Sequence, residues 1–335
     1  MRQRMSIFWC YPVGLIIALI GWSTLISDYQ LLGLIREYWQ SPLTMVFGSF
    51  VAGSTPLGGG AVAFPVFTKA LSVDTQQAKI FSLMIQSVGM TFAVVLFVSL
   101  KIPIVWRWLL QLLPGSILGL TVGLLFLPVM GSFIKFVFSL FTLITGILLI
   151  KIHTGRRISL IDDGEHVPSW IMFGLGFPAG IFSSIVGAGA DTILFFVLVI
   201  LFKHRTKYVI PTTVAYMAMC SLIGVLIIML SSHVVVTEFV YNSWLLAAPV
   251  VALGAPLGGF IMSRFNPNHL FLLISLIILI EGSSTLIFAE LEWIEKVILA
   301  TLIFIDIAYF FSRLRVIKRL SLVATAANNL PIKSP

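Results

Sequence analysis

Two clusters of glycine and hydroxyl residues interrupt long apolar segments of the sequence, and both could bind an anion. They are GSTPLGGG at residues 53–60 and SSIVGAG at 183–189, and aligning them pairs Gly58 with Gly187 and Gly60 with Gly189. Glycine frees backbone groups, which are tolerated at membrane depth only where they are buried in protein or line a cavity. A helix that restarts after such a break presents unpaired N–H groups and the positive end of its dipole, and these attract anions.

The predicted substrate site combines these glycines with hydroxyl and amide donors from both clusters and from the spans that face them. An oxyanion with several acceptor oxygens suits such a donor-rich pocket, so the predicted partner is a small anion. The predicted substrate-binding residues are Ser54, Thr55, Gly58, Gly59, Gly60, Gln86, Ser183, Ser184, Gly187, Gly189, Thr212 and Thr213. The alternative is that the glycines only let helices pack closely, but helix packing needs small residues four positions apart rather than adjacent glycines.

A helix break repeated at corresponding positions points to a transporter binding site, and two carboxylates inside apolar segments are predicted to couple that transport to H⁺ or Na⁺. Asp191 directly follows the second cluster, and Glu281 lies within the apolar run at 268–289. An ionisable side chain at membrane depth is costly and is usually functional. Each carboxylate also has a structural alternative: Asp191 would cap the second half-helix, and Glu281 would hydrogen-bond to neighbouring helices. Asp306 is expected to pair with the basic tail or a neighbouring loop.

Membrane-spanning helices must position these residues, because the chain is too apolar for a soluble fold. Of the 335 residues, 59% are hydrophobic and 10% are charged, and the mean hydropathy is +1.07. Runs that approach the ~20 apolar residues needed to cross the bilayer predict a polytopic all-α membrane protein, and they lack the alternation of barrel strands. Uninterrupted spans are predicted at about 7–27, 79–100, 105–128, 132–152, 208–231, 243–264, 268–289 and 291–312.

Each glycine cluster interrupts a longer apolar stretch, at 43–72 and at 169–202, which is either one interrupted crossing or a re-entrant hairpin. Lys and Arg concentrate in cytoplasmic loops, so charge counts can separate the two models. Two hairpins place 16 Lys and Arg residues inside and 5 outside, whereas two full crossings place 14 inside and 7 outside. The counts favour hairpins. That model leaves outside only Arg36, Lys69, Lys79, Lys135 and Lys296.

The predicted architecture is two inverted repeats, each a glycine-broken re-entrant helical hairpin plus three transmembrane helices, with extra helices at both termini. Residues 1–42 form the first transmembrane helix and an external loop, 43–152 repeat one, and 153–168 a cytoplasmic linker. Residues 169–289 form repeat two, 290–312 the last transmembrane helix, and 313–335 a basic, loosely ordered cytoplasmic tail. Both termini are then cytoplasmic, and the predicted location is the inner (plasma) membrane.

No enzyme, metal site, cofactor or nucleic-acid partner is predicted. Cys10 and Cys220 lack metal-ligand spacing, and the five histidines fall in loops or at span ends, so no nucleophile–base pair is supported. The net charge of +8 is spread over loop ends, where membrane orientation and lipid contact explain it. Lys203, Arg205 and Lys207 could also draw anions towards the cytoplasmic mouth.

The two motifs and their spacing resemble the TauE/SafE family of sulfite-exporter-like permeases, over roughly residues 43–310. The matching segments are GGGAVAFP at 58–65, AKIFS at 78–82 and IPTT at 210–213. The resemblance implies a secondary transporter of a small sulfur-containing anion, such as sulfite or an organosulfonate. GAGAD at 187–191 departs from the first cluster, because it has one glycine fewer and places Asp191 where its charge would repel an anion. An anion channel, or a transporter of other small organic acids, is the alternative.

Overall fold

The computed structural model describes residues 10–27, 31–56, 58–127, 131–154, 167–231, 234–262, 264 and 267–328. Thirteen α-helices and two π-helical segments occupy most of this range, and no β-strand lies within it. The α-helices are α1 (Cys10–Ser27), α2 (Leu31–Tyr38), α3 (Gln40–Ser54), α4 (Gly60–Pro65), α5 (Thr75–Ser99), α6 (Trp106–Leu125), α7 (Gly131–Thr154), α8 (Ser169–Val186), α9 (Ala190–Phe195), α10 (Thr206–Leu230), α11 (Glu238–Met262), α12 (Pro267–Phe288) and α13 (Trp293–Asn328). The predicted all-α class is confirmed.

Among the described residues, five helices are long and apolar enough to cross a membrane alone, namely α5, α6, α8, α10 and α11. A sixth candidate is α1 taken together with α2, with a bend of 98° between them. Each of the eight predicted spans also coincides with a helix. Helices satisfy every backbone hydrogen bond within one segment, which lipid demands. The prediction of a multi-pass membrane protein is therefore confirmed.

Both glycine clusters break their helices, as the sequence predicts. The first break separates α3 from α4, and the second separates α8 from α9. After each break the short α-helix continues as a π-helical segment, Val66–Ala70 after α4 and Phe196–Leu201 after α9. The limbs of the second broken stretch are unequal, because α8 has 18 residues and is itself one of the five spans.

The long helices that follow the two breaks, α5 and α10, are equal in length and separated by a constant offset along the chain. Both α5 and α10 have 25 residues, and their starts and their ends lie 131 residues apart along the chain. Asp74 fixes the start of α5, because its carboxylate accepts from the backbone N–H groups of Gln76 and Gln77, an N-cap. The register of 131 pairs Gly60 with Asp191, two residues away from the glycine pairing taken from the sequence.

The chain also ends the two π-helical segments in the same way. Ser72 and Lys203 have φ angles of 54° and 57°, which are rare for residues other than glycine. Next to them, the N–H of Val73 donates to the carbonyl oxygen of Phe67 at 2.9 Å. The N–H of His204 makes the equivalent bond to Leu198 at 2.9 Å, which supports the register of 131.

Small residues let helices from the two halves of the chain pack closely. Along the α6–α8 contact, a Cβ atom added to Gly119 would lie 2.1 Å from the carbonyl oxygen of Phe177. Along the α3–α11 contact, one added to Gly258 would lie 2.2 Å from the carbonyl oxygen of Phe50. Glycines at helix interfaces allow this backbone approach in membranes. Each helix that leads into a break thus packs against the second span of the other half.

The helix boundaries differ from the predictions at both ends of the membrane region. Part of the predicted external loop before residue 43 is helical, in α2 and the start of α3. At the other end α13 continues to Asn328, so residues 313–328 are helical rather than loosely ordered. This segment contains no Gly or Pro and is rich in good helix formers. The predicted linker at 153–168 falls mostly outside the described residues.

Candidate functional site

The two breaks lie against each other inside the helix bundle. A Cβ atom added to Gly60 would lie only 2.0 Å from the Cβ atom of Ala188, so the backbones are in contact. Gln86 of α5 joins the second break, because its Nε2 donates to the carbonyl oxygen of Gly187 at 2.7 Å. We call this region the junction and define it as Gly58, Gly60, Gln86, Gly187, Ala188 and Asp191.

Two side chains of the junction point towards Gly58 from different helices. Gln86 Oε1 lies 3.0 Å, and Asp191 Oδ2 lies 2.9 Å, from the position that a Cβ atom would take on Gly58. Both side chains are buried, with 2% of Gln86 and 0% of Asp191 exposed. Neither oxygen has a hydrogen-bond partner in the described part of the chain. Two acceptor oxygens therefore border the same small space without a donor.

The glycines of the junction are required by backbone conformation and by space. Gly58 and Gly187 have φ angles of 68° and 78°, the left-handed region that side chains rarely adopt. A Cβ atom on Gly187 would also lie 2.4 Å from the carbonyl oxygen of Lys79. Gly59 differs, because its φ is −66° and the nearest atom to an added Cβ is that of Ala52 at 3.2 Å. Gly59 thus has ordinary helical backbone, and an added methyl group would require Ala52 to move by only a few tenths of an ångström.

The predicted hydroxyl residues are buried, and most of their hydroxyl groups donate within their own helices. Ser54 and Thr55 both donate to the carbonyl oxygen of Val51. Ser184 donates to the carbonyl oxygen of Ile181, Thr212 to that of Tyr208, and Thr213 to that of Ile210. Ser183 instead faces Met217, with 3.9 Å from its Oγ to the sulfur. An anion would draw these donors only after the hydroxyl groups rotate. Thr212 also accepts from the N–H of Val105, beside α6, so its hydrogen bonds do not join it to the junction.

The whole predicted substrate set is closed off from solvent in this structure. Every member is buried, and none of its polar side chains is exposed by more than 2%. A substrate could enter only after helices move apart. The arrangement is a sealed polar junction between two halves of a helix bundle, rather than an open pore.

Comparison with known families gives one match. The family model described as "Sulfite exporter TauE/SafE" covers residues 42–285, which include both breaks and every residue of the junction. The chain belongs to the TauE/SafE family. Comparisons with curated proteins and with solved structures return no match. Members of the TauE/SafE family are transporters rather than enzymes, and the family suggests sulfur-containing anions as substrates.

Two residues of α5 near the junction were missed in the sequence of this TauE/SafE protein. Ser82 and Lys79 lie one and two turns before Gln86, on the same face of the helix. Ser82 Oγ accepts from Gln86 Nε2 at 3.0 Å. Lys79 is only 3% exposed, its backbone packs against Gly187, and it forms no ion pair within 4 Å among the described residues. The spacing of residues 79, 82 and 86 places three polar side chains on one face of a helix, and this pattern could have identified them in the sequence.

Glu281, the second predicted coupling residue, lies in a separate polar cluster. Its Oε1 is 3.4 Å from Lys69 Nζ, and each of the two side chains is 3% exposed. Lys69 was placed outside the membrane by the charge count, but the structure buries it in this ion pair. Ser139 and Thr142 of α7 donate to the two carboxylate oxygens at 2.7 and 2.9 Å. Glu281 is therefore hydrogen-bonded to neighbouring helices, as its structural alternative predicted. Its coupling role stays a prediction.

Asp306 is a third buried carboxylate of this TauE/SafE chain, in α13. It is 2% exposed, and neither of its oxygens has a hydrogen-bond partner among the residues that the structure describes. Its Oδ1 lies 3.2 Å from the position of a Cβ atom on Gly146, so it faces α7. The side chains of the basic tail, its expected partners, lie outside the described residues.

A cleft of about 1040 Å³ lies away from the junction, between α3, α4, the first π-helical segment, α11 and α12. Its lining is apolar except for a few groups that include Lys69 and Glu281. Large side chains on its walls are exposed, such as Phe47 at 68% and Ile280 at 61%. An apolar cleft gives an anion nothing to replace its hydration, so we do not assign the substrate to it.

Proposed function

We propose that this TauE/SafE protein is a secondary transporter that moves a small sulfur-containing anion, such as sulfite or an organosulfonate, across the inner (plasma) membrane. The observation that carries the proposal is the contact between the two breaks at Gly60 and Ala188, within a chain of the sulfite exporter family. Broken helices at corresponding positions of two halves are the best sequence pointer to a transporter binding site.

The anion binds at the junction in this proposal. Charge in a membrane interior must be neutralised and hydrogen-bonded, because its transfer from water is otherwise very costly. Lys79 is a buried cation whose backbone packs against Gly187 and whose ammonium group interacts with Asp74, and in this proposal it turns to the anion when the substrate binds. The hydroxyl groups of Ser54, Thr55, Ser183 and Ser184 flank the two breaks and supply donors after rotation. These residues, with the glycines, form the substrate-binding set.

Transport proceeds by alternating access between two inverted halves in this proposal. The common register of α5 and α10 supports a repeated unit. In addition, α3 of the first half packs on α11 of the second, and α8 of the second half packs on α6 of the first. This reciprocal packing supports two halves that contact each other around a common site. Transporters with inverted repeats expose a midplane site by rocking one repeat against the other. The burial of the whole substrate set favours this mechanism over a channel, whose filter stays continuous with the pore.

A counterflow assay tests the proposed function. The full chain is reconstituted in liposomes loaded with sulfite, thiosulfate, sulfoacetate, taurine or a simple carboxylate, and uptake of the labelled compound is followed. We expect saturable counterflow with at least one sulfur-containing anion. Counterflow with carboxylates alone would overturn the substrate class, and flux that does not saturate would overturn the carrier mechanism in favour of a channel.

A pair of lysine variants links that assay to the junction. Lys79→Met removes the buried positive charge, so we expect the KM for the anion to rise roughly tenfold or more, a loss of ~1.4 kcal/mol of binding. Lys296→Met is the matched control, because Lys296 is exposed in α13 and we expect unchanged kinetics. Equal kinetics of both variants would remove Lys79 from the substrate site.

A further inference from the structure

Two buried acceptor oxygens of the junction point towards Gly58 from different helices. Gln86 Oε1 and Asp191 Oδ2 lie 3.0 and 2.9 Å from the position that a Cβ atom would take on Gly58, and neither has a hydrogen-bond partner in the described part of the chain. Buried acceptors in proteins are nearly always satisfied, and an unsatisfied pair calls for an explanation such as an ion. The question is which species fits between them.

The amide of Gln86 cannot turn to solve the problem. Its Nε2 is surrounded by three acceptors, the carbonyl oxygen of Ser82 at 3.1 Å, Ser82 Oγ at 3.0 Å and the carbonyl oxygen of Gly187 at 2.7 Å. A flipped amide would place its oxygen against two carbonyl oxygens, which cannot donate. Oε1 is therefore fixed as the atom that faces Gly58.

The donors beside the carboxylate of Asp191 are used elsewhere and do not reach Oδ2. Its Oδ1 accepts from the N–H of Thr192 at 3.0 Å, and the hydroxyl of Thr192 donates to the carbonyl oxygen of Pro56 at 2.8 Å. The N–H of Thr192 is one of the groups freed in the first turn of α9, so this bond agrees with the structural alternative for Asp191. It engages Oδ1 and leaves Oδ2 for another partner.

We propose that Asp191 Oδ2 and Gln86 Oε1 form a binding site for a monovalent cation, H⁺ or Na⁺, that travels with the anion. A proton taken from water would sit on Oδ2, and the resulting O–H would donate to Gln86 Oε1. A sodium ion would be held by both oxygens, and no covalent bond would change. Either cation cancels the negative charge that otherwise repels an anion from the junction. This inference rests on the proposed function for its link to anion flux.

The elements around Asp191 bring few other titratable groups near it. Tyr216 and Cys220 of α10 are buried and close enough to interact with it electrostatically. The hydroxyl of Tyr216 is already bonded to Ser116 Oγ at 2.6 Å. Lys79 of α5 approaches the second break through its backbone. Asp191 is thus the carboxylic acid of the junction, while the ammonium group of Lys79 interacts electrostatically with Asp74 at the start of α5.

Thermal stability in detergent tests cation binding without any substrate. A ligand that binds only the folded protein stabilises it, so the cation should raise the melting temperature. For Na⁺, we expect the wild type to melt higher in NaCl than in choline chloride. For H⁺, we expect it to melt higher in mildly acidic than in mildly alkaline buffer without sodium. We expect Asp191→Asn to lose the response. Equal responses of the wild type and Asp191→Asn to both cations would overturn the site.

Matched variants keep this measurement decisive. Asp306→Asn removes another buried carboxylate without a hydrogen-bond partner, and we expect it to keep the wild-type response. Gln86→Leu removes the second oxygen together with the Nε2 that donates to Gly187, and we expect the response to move to a higher cation concentration. Loss of the response in Asp306→Asn with retention in Asp191→Asn would overturn the assignment.

Flux in proteoliposomes tests the coupling itself. Asp191→Asn removes the cation site, so we expect its net anion flux to lose the dependence on a pH or sodium gradient. Linked sites typically couple by roughly 5- to 150-fold in affinity, so the loss should reach fivefold or more. Net flux of Asp191→Asn that still follows the gradient would overturn coupling. Absent counterflow in the wild type would instead count against the proposed function, while the melting experiment still judges the cation site.

Discussion

Adjacent glycines have different roles at the scale of single residues. Gly60 lies against Ala188 and Ser82, and an added Cβ would be 2.0 Å from the Cβ of Ala188. We expect Gly60→Ala to separate the two breaks, abolish counterflow and lower stability by roughly 1–3 kcal/mol, the usual cost of overpacking. Counterflow and thermal unfolding of the purified protein measure the two effects.

Two companion variants show whether the contact with Ala188 is responsible. Gly59→Ala adds the same methyl group where φ is −66° and the nearest atom, Ala52 Cβ, is 3.2 Å away, so we expect a much smaller loss of counterflow than in Gly60→Ala. The double variant Gly60→Ala with Ala188→Gly removes the closest clash and leaves Ser82 Oγ at 2.9 Å, so it should restore counterflow in part. A Gly59→Ala variant as inactive as Gly60→Ala would contradict this account.

At the scale of helices, the buried ion pair joins the first broken stretch to α12. Lys69 belongs to the π-helical segment after α4, and its Nζ donates to Glu281 and to Ser284 Oγ at 2.9 Å. Removing one member of a buried pair leaves an uncompensated charge, at a cost of roughly 3–5 kcal/mol. We therefore expect Lys69→Met to have a melting temperature well below that of the wild type. Lys296→Met, a control at an exposed position, should melt at the same temperature as the wild type.

A second substitution should repair that damage. In Lys69→Met with Glu281→Gln, the side chain at 281 is neutral and its oxygen still accepts from Ser139, so most of the stability should return. If the double variant melts as low as Lys69→Met, the pair is not the cause. Glu281→Gln alone also tests the predicted coupling role, because a purely structural pair leaves the gradient dependence of net flux unchanged.

The helices and their breaks could be predicted from the sequence, but the partners of buried charges could not. Apolar runs and glycine clusters report local preferences, and each predicted span contains a helix. Lys69 and Lys79 were counted as external because a charge count uses only position along the chain. Their burial depends on contacts more than 100 residues away, at Glu281 and Gly187. The glycine pairing has an offset of 129 residues, which the matching left-handed φ angles of Gly58 and Gly187 support, whereas α5 and α10 are offset by 131 residues.

At the scale of the whole molecule, the orientation of the helices decides whether the two halves are inverted. Hairpins put Ser72 outside and Arg107 inside, whereas two full crossings reverse both positions. Lys and Arg bias sets orientation in most membrane proteins, and here it favours hairpins by 16 to 14 inside residues. Both residues are exposed, so cysteines placed there should react with reagents in water.

Cysteine labelling in sealed vesicles measures this orientation. In a background without Cys10 and Cys220, a membrane-impermeant maleimide added outside right-side-out vesicles should label Ser72→Cys and spare Arg107→Cys. Lys207→Cys lies inside in both models and must label only after the vesicles are opened. Labelling of Arg107→Cys with protection of Ser72→Cys would mean that both broken stretches cross the membrane. The two halves would then not be inverted, and rocking about a shared centre would lose its geometric basis.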